Sequence, residues 1–420
     1  MSMASQLRIV TQWFPPEQPA FGIMMHELGA YLVERGWDVE VYTTLPSHPR
    51  GVVFDGFESR RSRTEEKDGM KVRRLWSWIS PSRSIFSRGM GFLSYSCSVL
   101  FATLFSRNKP DVILAPLQPL FLGPLLGLAC RFRGIPLVFI VQDLHPDALV
   151  DLGLVRNRLV IRALSWCERM GYRSARKIIT ICSSFAEQII QRDGGDGDRC
   201  VVISNWAGDD VLQYQADGQA FRASRKLKPD GALAMFAGTL SYSSGASILP
   251  AVAAILRERS SEVQLVVVGE GPLRKDLDAA VAGMDDEQLV VMDFQPREDV
   301  ADMLAAADLT VVTVDDRTAK NSLPSKVLSY LAAARPVVAA CDPECPLGRM
   351  LADSGAALLV PPGDAPRLAE AIEDLANDPS RCERYALAAR QYVLEHASGS
   401  VCLDRYERVL QGCISQGSDH

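Results

Sequence analysis

Short runs of β-branched residues alternate with segments of helical periodicity along this chain, and the alternation occurs twice. The first series is LRIVT, DVEVYT, KVRRLW, DVILA, PLVFIV and KIITI, each followed by a loop or a helical segment. The second, after Asn205, is LAMFAG, VQLVVVG, QLVVM, LTVVTV, RPVVAA and AALLVPPGD. This pattern indicates parallel strands joined by crossover helices on both faces of a sheet. The sequence therefore predicts an α/β fold with two Rossmann-like, doubly wound parallel-sheet domains in tandem.

The length of 420 residues also favours two domains, because one hydrophobic core rarely serves so long a chain. The boundary is predicted in ISNWAGDDVLQY, where a strand ends in Asn, Gly and Asp and no helix follows directly. The predicted domains are thus residues 1–205 and 206–378. Ligands of such sheets bind at the carboxyl ends of the strands, so we expect the functional site in the cleft between the domains.

Composition narrows the class of protein. A hydrophobic share of 47% is that of a globular chain. The opening MSMASQLRIV has no secretory signal, which predicts a cytoplasmic protein whose ten irregularly spaced cysteines stay reduced. The nearest pair, Cys341 and Cys345, has no second pair and no histidines beside it, so no metal site is expected.

The charge is distributed unevenly along the chain. Up to Asn205 there are 25 Lys and Arg against 19 Asp and Glu, a net +6, and the remainder has 20 against 32, a net −12, which sums to the overall −6. A basic first domain would favour peripheral contact with anionic lipid or an anionic acceptor, although scattered surface charge is the simpler interpretation. The overall acidity argues against nucleic acid as a partner.

One uncharged segment, Gly89 to Phe105, is long enough to raise the question of a membrane helix. It is at the lower limit for spanning a bilayer, and its serines weaken that interpretation. A buried helix and an interfacial helix are the alternatives. Its flanking basic residues are Arg83, Arg88, Arg107 and Lys109.

Two loops of the first domain are candidate sites. The first strand leads into the loop Gln12–Glu17 and then to Gly22, before a helix. A glycine at such a turn allows a ligand to approach the backbone closely, although the need for a flexible residue in the turn would also explain it. The strand PLVFIV ends in Gln142–Asp147. Asp143 and His145 there could orient an acceptor hydroxyl or take its proton, unless the aspartates only cap the next helix.

The strongest constellation in the second domain is Leu323, Pro324, Ser325 and Lys326, which opens the helix VLSYLAAA after the strand LTVVTV. Backbone dipoles and a mobile cation around one point suit a diphosphate. The alternative is a lysine that points into solvent. For either reason, we expect Lys326 to be exposed in the empty protein.

Two further loops point to the same cleft. The loop after VQLVVVG places Gly271 at a strand end and Arg274 just inside a helix, which again suits phosphate. The loop after QLVVM contains Phe294 and Gln295, whose backbone could face a flat base, although such a loop is often only a connection.

With these residues in view, the whole chain resembles a GT-B glycosyltransferase of the retaining family four, especially the bacterial exopolysaccharide and O-antigen enzymes of the fucosamine-transferase and colanic-acid type. The motifs that support the resemblance are TQWFPPE, RGWDVEVYT, LPSHP, DGMKVRRLW, PDVILAPLQPL, VQDLHPDAL, SNWA, VVVGEGPLRKDL, LPSKVLSYLAAARPVVA and VPPGD. LPSK together with VQDLHPD narrows the branch.

The resemblance implies a division of labour between the domains. Gly22 would approach the donor diphosphate from the first domain, while Lys326 and the Glu270–Arg274 loop would hold it from the second. The nucleobase would pack near Phe294–Pro296. The last helices, within 379–420, would cross back to brace the first domain. Members act without a required metal and retain the anomeric configuration, and fixed amides and cations neutralise the leaving diphosphate.

The sequence departs from the family pattern at two places. Many relatives have two glutamates eight positions apart, and alignment on Arg335 and Pro336 puts Asn321 and Ser329 there, with Ser329 at the ribose-binding position. The donor-domain loop with Gly238, also assigned to the donor site, lies in the stretch Phe236–Gly245, which lacks the usual Arg and Lys. More of the diphosphate charge is therefore assigned to Lys326, which counts as catalytic as well as donor-binding.

The leading expectation is a glycosyltransferase that moves a sugar, an N-acetylated or deoxy hexose, from a UDP-linked donor to a saccharide or polyprenyl-diphosphate-linked acceptor in exopolysaccharide, capsule or lipopolysaccharide synthesis. The alternative from another class is a catalytically weak homologue that acts as a binding or assembly partner in a polysaccharide complex.

Overall fold

The computed structural model describes residues 4–57, 63–82, 84–193, 197–212, 215–282, 288–321 and 323–415. The chain forms two compact units, the first from Met1–Pro146, Val155–Ile203 and Leu403–His420, the second from Asp147–Leu154 and Ser204–Cys402. The domain boundary predicted from the sequence lies after Asn205. Of the range 379–420, the part up to Cys402 groups with the second unit and the part from Leu403 with the first.

Strands and helices alternate along the chain. The strands are β1 (Gln6–Val10), β2 (Asp38–Thr44), β3 (Arg63–Lys67), β4 (Met70–Leu75), β5 (Val112–Pro116), β6 (Leu137–Val141), β7 (Lys177–Thr180), β8 (Cys200–Val202), β9 (Leu233–Ala237), β10 (Gln264–Val268), β11 (Leu289–Met292), β12 (Leu309–Thr313), β13 (Val337–Ala340) and β14 (Ala357–Val360). The helices are α1 (Ala20–Glu34), α2 (Ile85–Leu104), α3 (Leu122–Arg133), α4 (Asp147–Asp151), α5 (Arg158–Ser174), α6 (Ser183–Asp193), α7 (Asp209–Leu212), α8 (Gly218–Ser224), α9 (Leu249–Glu258), α10 (Arg274–Ala282), α11 (Val300–Ala305), α12 (Lys326–Ala332), α13 (Pro346–Ser354), α14 (Ala365–Ala376), α15 (Pro379–Tyr392) and α16 (Gly399–Ser415).

The sheet of the first unit has the strand order β3-β4-β2-β1-β5-β6-β7-β8. Every neighbouring pair is parallel except β3 with β4. In the centre, Ile9 pairs with Val41 on one side and Leu114 on the other. All residues of β5 and β6 are buried, because helices cover both faces of a parallel sheet.

The sheet of the second unit has the order β11-β10-β9-β12-β13-β14, and all its pairs are parallel. Successive residues of β9 point to opposite faces, so Met235 belongs to one hydrophobic core cluster and Phe236 to the other. The prediction of two doubly wound parallel sheets is therefore confirmed.

The uncharged segment Gly89 to Phe105 lies almost entirely in α2. Tyr95 and Val99 are buried on the inner side of this helix, whereas Phe101 on the outer side is exposed. Among the described helices, none combines the length and the apolar content that crossing a bilayer requires. The segment is thus buried on one side only.

The last helix, α16, packs against the start of the first unit. The Asp404 carboxylate accepts hydrogen bonds from the Tyr31 hydroxyl and from Arg35, and Glu407 accepts one of 3.0 Å from Trp37. Arg405 donates to the Val202 carbonyl at 2.7 Å. These bonds join α16 to α1, to the turn after it and to β8.

Candidate functional site

The donor-site candidates of the second unit lie at the switch point of its sheet, where β9 and β12 are neighbours and the chain leaves them in opposite directions. The loops after these two strands are hydrogen-bonded to each other. The Asp315 amide donates to the Ser243 carbonyl at 3.0 Å, and the Thr313 hydroxyl donates to the Ser244 carbonyl at 2.6 Å. The sheet therefore presents these loops as one surface.

Lys326 and Gly238 meet at this switch point. Lys326 is the first residue of α12, and its Nζ lies 3.3 Å from the centroid of the Phe236 ring. Gly238 has a φ of +146°, and a Cβ placed there would lie 3.0 Å from Cδ of Lys326. A side chain at 238 would thus be strained and would displace the lysine, which explains the glycine.

The surroundings of Lys326 correct the expectation that it is exposed. The residue is partly buried, and desolvation lowers the pKa of its amine from 10.5 to about 7. Burial causes this lowering of the pKa, and no described carboxylate opposes it by stabilising the charged amine. An anion bound beside this amine would supply the missing negative charge, so the arrangement favours an anionic ligand.

Tyr330 holds α12 against the end of β9, and the sequence analysis did not single it out. Its buried hydroxyl accepts a hydrogen bond from the Ala237 amide and donates one to the Ala237 carbonyl, both at 2.7 Å. Tyr330 lies one helical turn after Lys326, so the lysine and its anchor share a helix face. The available signal in the sequence was a tyrosine four residues, or about one helical turn, after the candidate lysine.

We expect Tyr330→Phe to lower the free energy of unfolding by about 1 to 3 kcal/mol, because it leaves a buried amide and a buried carbonyl without their partner. Denaturant titration measures the change. Tyr242→Phe, at an exposed tyrosine, is the control and should leave the stability unchanged. Equal stabilities of Tyr330→Phe and the wild type would contradict this anchoring role.

Gly271 closes the same surface from the loop after β10. Its φ is +152°, and a Cβ there would collide with the Leu240 carbonyl. The Leu240 amide donates to the Glu270 carbonyl at 2.9 Å, which joins this loop to the loop of Gly238. The structure thus brings Gly238, Gly271 and Lys326 together.

Arg274 lies beside this surface, but other residues already engage its charge. Its guanidinium donates to Asp278 at 2.8 Å, to Asp293 at 2.8 Å, to Glu270 at 3.2 Å and to the Gly269 carbonyl at 3.3 Å. The bond to Asp278 contributes most to the raised pKa of Arg274. With three carboxylates around one cation, the local charge is negative, so a phosphate would have to displace at least one of them.

The two residues predicted near the base differ in their accessibility. The Phe294 ring is 70% exposed, so its face is open to stacking. The Gln295 side chain is buried and occupied, because its Oε1 accepts a hydrogen bond of 2.8 Å from Arg225 and its Nε2 donates one of 2.7 Å to the Asp293 carbonyl. Only the backbone of Gln295 remains for the predicted role.

The remaining donor-site candidates flank Lys326. Leu323 packs against the core, Ser325 is exposed and Ser329 is partly buried. Asn321, at the first position that many relatives fill with glutamate, donates from Nδ2 to Asp151 at 2.6 Å. A glutamate at 321 would place its carboxylate against that of Asp151, whereas the asparagine can donate a hydrogen bond to Asp151.

In the first unit, Gly22 is explained by packing. A Cβ there would lie 2.8 Å from the Trp13 carbonyl oxygen, so α1 could not begin so close to this loop with a larger residue. The Gly22 amide donates to the Pro19 carbonyl at 2.9 Å, within the first turn of the helix. Its approach to a donor diphosphate stays a prediction.

Asp143 and His145 lie where the sequence analysis placed them, in the loop after β6 at the carboxyl edge of the first sheet. Both side chains are partly buried, and both already interact with other groups of the protein. The next helix, α4, begins at Asp147. Their role toward an acceptor stays a prediction.

Glu17 is a buried acid at the same edge that the sequence analysis left without a role. Its Oε1 accepts hydrogen bonds of 2.9 Å from the amides of Ser47 and His48. Burial raises the pKa of this carboxyl, although those amides and Arg74 oppose the rise. Glu17 therefore joins the loop after β1 to the loop after β2, and the motifs TQWFPPE and LPSHP contain the two partners.

Two doubly wound parallel sheets in one chain, with the candidate loops at the switch point of the second, define the GT-B class of glycosyltransferase fold. Solved structures agree with this class at 16% identity. Sucrose-phosphate synthase from Thermosynechococcus elongatus has a TM-score of 0.74 over 98% of this chain and 100% of its own. Anabaena HepE in complex with UDP has a TM-score of 0.71 over 97% and 100%.

Family models match most of the chain. Residues 22–206 match the glycosyl transferase 4-like domain, and residues 232–378 match glycosyl transferases group 1. The putative colanic acid biosynthesis glycosyl transferase WcaI of Escherichia coli (strain K12) is 24% identical over 343 residues, which are 80% of this chain and 83% of the relative. The chain belongs to the family-four glycosyltransferases.

Proposed function

We propose that the protein transfers a hexose from a nucleoside diphosphate to a saccharide acceptor and that Lys326 binds the diphosphate. The observation that supports this most strongly is the partly buried amine at the switch point, whose pKa is lowered to about 7 with no described carboxylate to offset its charge. We assign UDP as the nucleotide, since HepE, which has this fold, was solved in complexes with UDP and with UDP-glucose.

In the proposed reaction, the bond between the anomeric carbon and the diphosphate oxygen breaks, and its electron pair stays with the diphosphate. Protonated Lys326 and the backbone around Gly238 and Gly271 stabilise the charge that develops there. The acceptor oxygen bonds to the anomeric carbon on the face that the diphosphate leaves, so configuration is retained. Asp143 takes the proton of the acceptor hydroxyl, with His145 beside it to orient the acceptor.

The transferred group is proposed to be an N-acetylated or deoxy hexose, and the acceptor a polyprenyl-diphosphate-linked saccharide at the cytosolic face of a membrane. The basic net charge of the first 205 residues supports an anionic, lipid-linked acceptor. No resident metal is assigned, so turnover is expected to be the same with and without a chelator. A panel of UDP-, GDP- and ADP-sugars, scored for transfer, identifies the donor.

A binding or assembly role is the second candidate. It is favoured by the three carboxylates around Arg274 and by the Asn321 that replaces a glutamate of many relatives. Nucleotide-induced thermal stabilisation separates the two functions. An enzyme should be stabilised by millimolar UDP or GDP, whereas an assembly partner without a donor site should not.

The lowered pKa of Lys326 predicts that diphosphate binding takes up a proton. The free amine is largely neutral above about pH 7, and a bound diphosphate restores the charged form. Affinity for UDP should therefore fall as pH rises above 7, at most about tenfold per pH unit. Calorimetry at pH 8 in two buffers of different ionisation enthalpy measures this proton uptake. A binding enthalpy that is the same in both buffers would argue against the assignment.

A further inference from the structure

The helix α2 is apolar on its outer side as well as on its inner side. Its exposed residues Phe86, Met90, Leu93 and Phe101 are spaced so that they share one face of the helix. Phe86 is 79% exposed, and exposure of this extent is costly for a phenylalanine in water. A helix that is apolar all round normally has a second apolar phase against it.

Two neighbouring helices extend this apolar surface. α3 packs against α2 on one side and α5 on the other. A Cβ at Gly123 of α3 would lie 2.6 Å from the Cys167 carbonyl oxygen of α5, so these two helices touch along their backbones. We call the outer residues of the three helices the docking face. Its exposed apolar members are Phe86, Met90, Leu93, Phe101, Leu128, Phe132, Leu159, Val160 and Trp166.

The charge around the docking face is predominantly positive. Between Asp68 and Asp143 the only acidic residue of the sequence is Asp111. On α5 the only acid is Glu168, which is buried and accepts a hydrogen bond from Tyr172. The exposed basic residues on or next to the three helices are Arg88, Arg107, Lys109, Arg131, Arg156, Arg158, Arg162, Arg169 and Arg173.

A groove of about 340 Å³ opens beside the C-terminal part of α2, next to the exposed Phe101. Its walls combine apolar side chains with polar surface and one cation. The lining residues are Arg73, Leu75, Trp76, Ser98, Phe101, Ala102 and Phe105. A hydrocarbon chain with a nearby anionic group matches this lining.

We propose that the docking face binds the surface of an anionic lipid bilayer. Exposed aromatic residues would enter the boundary between headgroups and acyl chains, and the arginines would contact anionic headgroups. A second copy of the chain fits less well, because a twofold interface would place the same arginines against one another. The proposal extends the proposed function, since a lipid-linked acceptor would be met at such a surface.

Vesicle flotation of the full chain tests the proposal. We expect the protein to float with vesicles of phosphatidylcholine and phosphatidylglycerol and to stay behind with phosphatidylcholine alone. The double variant Phe86→Ser/Phe132→Ser should reduce the bound fraction at least about tenfold, since both rings are more than three-quarters exposed at 79% and 76%. Arg131→Gln/Arg162→Gln should reduce it on the order of fivefold per arginine, and added salt should do likewise.

The control is Leu387→Ser, at a leucine of α15 that is 67% exposed and lies in the second unit. It should float like the wild type. Absence of wild-type flotation with the anionic vesicles, or equal flotation of Phe86→Ser/Phe132→Ser and the wild type, would overturn the proposal. The proposal would also be overturned if the wild type bound no vesicles but associated with itself, and if the same double variant abolished that self-association. Flotation needs neither donor nor acceptor, and UDP-induced stabilisation needs no lipid, so the docking face and the proposed function fail independently.

Discussion

Lys326→Met is expected to produce a protein that is more stable than the wild type and nearly inactive. The amine is partly buried beside Phe236 with no described carboxylate in contact, and methionine fills a similar volume without a charge to desolvate. Loss of a cation that stabilises the leaving diphosphate should lower kcat by about 10² to 10³. Thermal unfolding with and without UDP, together with transfer rates, measures both effects.

The stability difference between Lys326→Met and the wild type should depend on pH. The folded-state pKa of Lys326 lies at about 7, below the usual value of 10.5, so folding disfavours the charged amine. The wild type therefore gains stability as pH rises from about 7 toward 10.5. The advantage of Lys326→Met should be largest below pH 7 and shrink above it.

The matched control is Lys71→Met, at an exposed lysine of β4. It should change neither the UDP-induced stabilisation nor the rate of transfer. If Lys326→Met kept the wild-type response to UDP, Lys326 would not be the diphosphate ligand. If it unfolded at a lower temperature than the wild type at pH 6, the burial argument would be wrong.

Asp143→Asn is expected to lower the rate of transfer by about 10² to 10⁴ while UDP still stabilises the protein. The asparagine keeps the size of the side chain and can still accept a hydrogen bond, but it cannot take the proton of an acceptor hydroxyl. Since Asp143 lies in the first unit and every UDP candidate except Gly22 lies in the second, the effects on nucleotide binding and on transfer should separate.

Asp111→Asn serves as the control, because Asp111 precedes β5 at the opposite, amino edge of the same sheet and its carboxylate accepts a hydrogen bond from the Gln6 amide at 2.8 Å. Its transfer rate should match that of the wild type. A lower unfolding temperature for Asp143→Asn, with activity restored once the folded fraction is taken into account, would favour a helix-capping or structural role for Asp143.

Local sequence predicted the strands of the second unit well. All six apolar runs after Asn205 became strands, from LAMFAG as β9 to AALLVPPGD as β14. Short, continuous runs of β-branched residues are typical of strands in a parallel sheet that helices cover on both faces. In the first unit the edge strand β3 (Arg63–Lys67) was missed, because RTEEK is polar and pairs antiparallel only at the edge of the sheet.

The candidate site shows the limit of this reasoning. The sequence placed Gly238, Gly271 and Lys326 at strand ends, and their meeting follows from the strand order. The burial of Lys326, its anchoring through Tyr330 and the three carboxylates around Arg274 depend on residues far apart in the chain, so spacing and composition could not predict them. For Arg274 and Gln295, knowing the residue type alone overstated what their side chains are free to bind.

What the sequence determined by itself is the pair of doubly wound sheets and the loops at their carboxyl edges, because hydrophobic periodicity is a local property that each segment expresses in the same way. Only the tertiary structure decided which charged groups are neutralised, which amine is desolvated and which helix faces stay uncovered. Those properties depend on the distances between groups from separate segments, and such distances exist only once the chain is packed.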